Sequence, residues 1–112
     1  MSGGFIESGL SSGALEFHRA LASLQEELEA IDYYHQRADV TADESLKAVL
    51  VHNRNDEMEH AMMLLEWMRR TVPDLELQIK KFIFQPGDLT VLAKGVGPAI
   101  ANGSGLGLGN LK

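Results

Sequence analysis

Glu57-Met58-Glu59-His60 is the stretch from which the fold can be read. Around it, Leu46, Leu50, Asn53, Glu57, His60, Leu64 and Trp67 follow one another in steps of 4, 3, 4, 3, 4 and 3. That spacing traces one seam down an α-helix. An acid and a histidine therefore interrupt a stripe whose two ends are apolar. Burying a carboxylate in such a seam is costly unless a partner charge compensates it. The Glu-x-x-His spacing offers one solution, because side chains at i and i+3 project together and can share a metal ion.

Upstream, Phe17, Ala20, Leu24, Glu27, Ile31, Tyr34 and Ala38 step 3, 4, 3, 4, 3, 4 along a second seam, widened on one side by Leu21, Leu28 and His35. Again a single acid, Glu27, breaks an apolar row. None of the eleven glycines lies between positions 14 and 86. Glycine costs about 1 kcal/mol inside a helix, so this block is where long helices belong. The pattern predicts a first helix over 12–39 and a turn at Val40-Thr41-Ala42. The second helix is expected over 42–70, opened by a Thr41/Glu44 capping box and closed by Arg69 and Arg70 at its dipole's negative end. Pro73 suits the first turn of a third helix over 73–84, which Gln85-Pro86-Gly87-Asp88 ends.

Helices joined by so short a turn form an antiparallel hairpin. Glu27 lies twelve residues before Asp39 and Glu57 thirteen after Glu44. At ~1.5 Å per residue the two interrupting acids reach nearly the same height above the turn. A lone hairpin has no second layer to cover both apolar faces. Two hairpins paired as a four-helix bundle would supply it. Carboxylate di-iron bundles draw one Glu from each of two helices and Glu-x-x-His from each of the other two. This chain holds half of that set, Glu27 with Glu57 and His60. A two-fold dimer would give four carboxylates and two imidazoles, whose charge balances two divalent cations. Such mixed ligands suit iron or manganese, and zinc can also bind.

Blander readings stand beside these. A lone Glu-x-x-His is common on exposed helices, and Glu57 can pair with Arg54 at i−3 as a surface bridge of little worth. Tyr34, two turns beyond Glu27, suits a hydrogen bond to a ligand or ordinary core packing. Glu26 and Glu29 either draw cations inward or form a solvated face. His18, His35 and His52 read as structural. Met58, Met62, Met63 and Met68 read as fillers of core or interface gaps, and Trp67 as core.

Composition narrows the class. One small domain fits 112 residues. A net charge of −6 argues against nucleic acid as a partner. The absence of cysteine excludes disulfides and thiolate chemistry. No apolar run reaches the ~18–20 residues that span a bilayer, and the N-terminus lacks the pattern of a secretory signal. The expectation is therefore a soluble intracellular protein with no membrane partner. Residues 1–11 are expected to be a disordered arm, 12–86 the helical domain, and 87–112 a flexible linker and tail.

Three blocks carry a family resemblance: Glu26-Glu27-Leu28-Glu29-Ala30-Ile31-Asp32-Tyr33-Tyr34, His52-Asn53-Arg54, and Glu57-Met58-Glu59-His60-Ala61 with Leu65-Glu66-Trp67. In order and spacing they resemble the encapsulated ferritins, cargo proteins of encapsulin nanocompartments. The resemblance implies an all-α, ferritin-like fold in which an antiparallel hairpin plus a short third helix dimerises into a four-helix bundle. It further implies a ferroxidase with iron bound between two subunits, and dimers joined in a decameric ring. Glu27, Glu57 and His60 fall on the family's iron ligands and Tyr34 on its nearby tyrosine. Glu26 and Glu29 fall on the acidic positions through which iron enters. Manganese, zinc and calcium are the other ions such sites would take. Tyr33 departs from the tryptophan common in the family. Gly103-Ser104-Gly105-Leu106-Gly107-Leu108-Gly109-Asn110-Leu111-Lys112 resembles the peptides that dock cargo to an encapsulin shell, its alternate leucines suited to apolar pockets. Leu89-Thr90-Val91-Leu92 is a second short apolar patch, able to dock instead or to extend the third helix's packing. The implied location is the cytoplasm, inside the shell.

Overall fold

The computed structural model describes residues 6–95. Among them the regular structure is helical throughout: α1 (Ser12–Val40), α2 (Glu44–Thr71), α3 (Pro73–Phe82) and α4 (Leu89–Ala93). The expected N-terminal arm is described only from residue 6. The expected docking peptide, residues 103–112, lies outside the described residues. Two compact units divide the chain between Met68 and Arg69.

The first unit is the hairpin. Ser11 opens α1, its hydroxyl accepting the Ala14 amide at 3.1 Å. Thr41 closes it by donating its backbone N–H to the Arg37 carbonyl. The second helix starts two residues later than the capping-box reading placed it. Asp43 is the cap: its side chain accepts the Leu46 amide at 3.0 Å. Thr41 instead accepts the Asp43 amide, shaping the turn. Aspartate is as good an N-cap as threonine and stands nearer the first helical residue.

Cross-helix contacts fix the antiparallel sense. Glu27 of α1 meets His60 of α2, and eight residues further along α1, His35 meets Arg54. Every seam residue expected on α1 is buried or half-buried, with Ala20 and Ala38 the most enclosed. On α2 the seam divides. Of its members only Leu50 is buried, while Leu46, His60 and Trp67 are exposed, Trp67 contrary to its reading as core; Ala61, at 0% exposure, and Met68 lie beside the seam and are more enclosed than its members. A straight helix turns 3.6 residues at a time and drifts against a 3.5-residue repeat. Only part of a broad stripe can therefore face one partner helix. The rest of the apolar surface stays open, including Leu21, Leu28, Val49, Met58, Met62 and Met63. Of the four methionines expected to fill gaps, only Met68 is enclosed.

The second unit holds α3 and α4. Pro73 stands in the first turn of α3. Arg69 donates to Glu76 at 2.6 Å, and Lys80 approaches the same carboxylate at 3.5 Å. The helix ends at Phe82, two residues short of the expected limit, because Ile83 is already extended (φ −75°, ψ 133°); Phe84 then turns left-handed with φ +62°. Asp88 then caps α4, accepting the Thr90 amide at 2.8 Å and the Thr90 hydroxyl at 2.6 Å. These hydrogen bonds, with the Thr90 hydroxyl foremost, hold the Asp88 carboxyl below its ordinary range. Leu92 is buried, and Lys81 reaches back from α3 to the Ala93 carbonyl at 3.1 Å. Residues 89–92 thus extend the packing of α3.

Candidate metal centre

Glu27, Glu57 and His60 come together in the hairpin. One ligand-type atom from each lies within 4.8 Å of the others. His60 Nδ1 is 3.2 Å from Glu57 Oε1 and 3.5 Å from Glu27 Oε1. Local chemistry explains the meeting. Glu57 and His60 share a face of α2 through their i, i+3 spacing. Glu27 reaches them from α1 because the short turn sets equal heights on both helices.

The three groups perturb one another. A hydrogen bond between the carboxyls of Glu27 and Glu57 requires one proton between them. That bond, with burial and the repulsion of Glu57, pushes the Glu27 carboxyl above its ordinary value. Glu57, on the accepting side of that bond and beside His60, is held below its own. His60 is pushed up by its hydrogen bond to Glu57 and by the charge of both carboxylates, against the opposing effect of burial. Two acids and a histidine competing for protons at such range are what a bound cation would relieve.

The donor set fits a transition-metal ion. Ligands about 2.1 Å from one ion, at right-angle to tetrahedral spacing, lie roughly 3.0–3.4 Å apart. The His60–Glu57 contact, at 3.2 Å, already has that size, and the His60–Glu27 contact, at 3.5 Å, is just beyond it. Oxygen and imidazole together suit iron, manganese or zinc. Side-chain exposure is 25% for Glu27, 23% for Glu57 and 47% for His60, so the cluster opens on one flank of the hairpin. One chain supplies three donor residues, fewer than iron or manganese usually takes.

Neither arginine that might have neutralised these acids does so. Arg54 turns away from Glu57 and contacts His35 Nδ1 and Asn55. Arg37 stacks against Tyr33 and Tyr34, its guanidinium carbon 5.9 and 5.8 Å from the two ring centres. Tyr34 is half-buried on the α1 seam, ~10 Å along the axis from Glu27. It is not part of the three-residue cluster. Glu26 is exposed; Glu29 is half-buried and lines a shallow depression with Gln25, Leu28 and Asp32. Neither joins the cluster. His18 is half-buried. His52 lies 3.3 Å from Asp56 on an exposed face, a pairing that the i, i+4 spacing could have revealed. The His35–Arg54 contact could not be read the same way, since it depends on the relative rotation of two helices.

Fold and cluster together define a ferritin-like helical hairpin carrying a Glu-Glu-His constellation. The chain belongs to the EncFtn-like family, whose model matches residues 6–86. It is 46% identical over 83 residues to a ferritin-like protein of Thermotoga maritima, covering 74% of this chain and 73% of that one. An encapsulated ferritin-like protein of Rhodospirillum rubrum is 42% identical over 110 residues, covering 85% of this chain and 76% of the relative. Among solved structures, a crystal structure of a protein from Nitrosomonas europaea superposes with a TM-score of 0.73 at 45% identity. That match covers 77% of this chain and 97% of the other. No helix among the described residues is long and apolar enough to cross a membrane.

Proposed function

We propose that the chain is a ferroxidase that takes Fe(II) as substrate at a site completed by a second copy of itself. One observation carries the reading. Glu27 and Glu57 converge with His60 from two helices, and no arginine or lysine among the described residues pairs with either acid. Like charges gathered without a counter-ion cost stability unless a cation arrives. Three donors per chain make half a di-metal set, and the open flank of the hairpin is where a two-fold mate would add the other half.

Two Fe(II) ions give one electron each to O₂, yielding two Fe(III) and, with two protons, hydrogen peroxide; with peroxide as oxidant the product is water. The carboxylates bind and balance charge. His60 contributes a neutral nitrogen once its proton has left. Tyr34 lines the approach and can hydrogen-bond a group bound there. Glu26 and Glu29 give α1 an acidic flank that draws Fe(II) inward. A hairpin dimer, or a decameric ring of such dimers, encloses no mineral store. Ferric product therefore needs an outer container. The family name and that of the Rhodospirillum rubrum relative support an encapsulin shell in that role. Residues 103–112 are the proposed anchor and the shell's interior in the cytoplasm the proposed location.

The test is anaerobic loading with Fe(II) followed by air or by peroxide, reading ferric absorbance. Mass in solution with and without Fe(II) is measured alongside. The parent should oxidise iron rapidly as a dimer or larger species, and Glu27→Ala, Glu57→Ala and His60→Ala should not. Variants as fast as the parent would end the proposal.

A further inference from the structure

The strongest unexplained feature is the tie between Arg54 and His35. Arg54 Nη1 lies 3.2 Å from His35 Nδ1, across the hairpin. The remaining edge of the guanidinium is occupied: Nε and Nη2 both donate to Asn55 Oδ1, at 3.2 and 3.0 Å. Asn55 therefore braces the fork with Nη1 aimed at α1. Guanidinium has donors only, so His35 Nδ1 accepts and its ring proton resides on Nε2.

The position of this tie gives it a role. At about 100° per residue, Arg54, Glu57 and His60 fan across the inner side of α2 in steps of roughly 60°. Arg54 occupies one flank of the contact line and His60 the other. His60 is tied to Glu27 on its flank; Arg54 is tied to His35 on the opposite one. Two ties on opposite flanks oppose rolling of α2 about its axis. The apolar contact between them does this poorly, because its most enclosed members include the small side chains Ala20, Ala38 and Ala61. The ties also differ in kind. One joins a carboxylate to an imidazole, the other a guanidinium to an imidazole.

We infer that Arg54 is a positioning residue which, through His35, holds the roll of α2 so that Glu57 and His60 face Glu27 before a metal ion arrives. This rests on the ferroxidase reading of the cluster. Loss of the tie leaves the donors present but unaligned, and supports of this kind change metal affinity by about 10–100-fold.

The experiment uses the full chain, Co(II) as an air-stable spectroscopic probe, and long-range ¹H–¹⁵N spectra of the histidine rings. In the parent, His35 should show a bare Nδ1 and a protonated Nε2. Arg54→Met should lose that hydrogen-bonded signature and weaken Co(II) binding about tenfold with helix content unchanged. His35→Leu should match it, and the double variant should be no worse than either single one. His35→Gln, which keeps an acceptor, should restore most of the affinity. Unchanged Co(II) affinity in Arg54→Met, or equal losses in His35→Gln and His35→Leu, would overturn the positioning role alone. A parent that binds no Co(II) overturns the ferroxidase reading as well, whatever the tautomer of His35.

Discussion

Replacing Glu27 by glutamine should make the metal-free protein more stable while removing its response to metal. The side chain keeps its shape, and its amide can donate to Glu57 where the acid needed a proton. What disappears is one of two negative charges no more than 4.8 Å apart. At that range the repulsion is about 0.9 kcal/mol in water and about 3.5 kcal/mol at an effective dielectric of 20. A quarter of each side chain is exposed, so the lower figure is the floor of the gain. For a domain of this size, about 1 kcal/mol raises the melting temperature by roughly 4–8 °C. The measurement is thermal unfolding at pH 8 with chelator, repeated with Zn(II). The parent should melt lower with chelator and gain on adding metal; Glu27→Gln should melt higher and gain little. A Glu27→Gln protein that melts below the parent in chelator would refute the reasoning, because Glu27 would then be part of the structural framework.

Other consequences can be checked separately. The pKa of His60 is raised in the folded protein, so its contribution to apo stability is complete below its ordinary value of 6.5 and lost as pH rises through the raised one. Melting with chelator should accordingly fall above pH 6.5, while metal affinity climbs as the competing proton leaves; a flat parent profile indistinguishable from that of His60→Gln would contradict this. Phe84 is fully exposed, at 101%, in a left-handed conformation, so Phe84→Gly should stabilise the isolated chain by about 1 kcal/mol in urea unfolding. No gain there would mean that the ring has contacts in solution that offset the strain. Asp88→Ala should loosen the start of α4, read as faster amide exchange at Thr90 and Val91, with exchange in α1 unchanged.

Much of this arrangement was legible before any coordinates. One glycine-free block holding two seams of 3-4 spacing carries the hairpin, and the equal heights of Glu27 and Glu57 carry the cluster, because rise per residue is nearly constant in a helix. Finer features depend on choices that spacing cannot make. Thr41 and Asp43 are both good caps, and only the path of the turn selects Asp43. Which edge of the α2 stripe faces α1 depends on helix rotation, so Ala61 rather than His60 takes the most enclosed position. Arg54 has Glu57 within i+3 reach yet turns to a histidine on the other helix, a preference that no single-helix rule contains. The patch at residues 89–92 was open to two readings; the Asp88 cap and the burial of Leu92 fit packing on α3, while Leu89 and Val91 stay exposed.

The donors occupy a single span of 34 residues, from position 27 to position 60. If the centre is assembled from two such spans by rotation, as proposed above, it inherits every substitution in duplicate, and neither metal position can be altered without altering its twin. Joining two copies of the span in one gene would lift that restraint. Each half could then change independently, one specialising in capture and the other in electron transfer, with no need for partners to find each other.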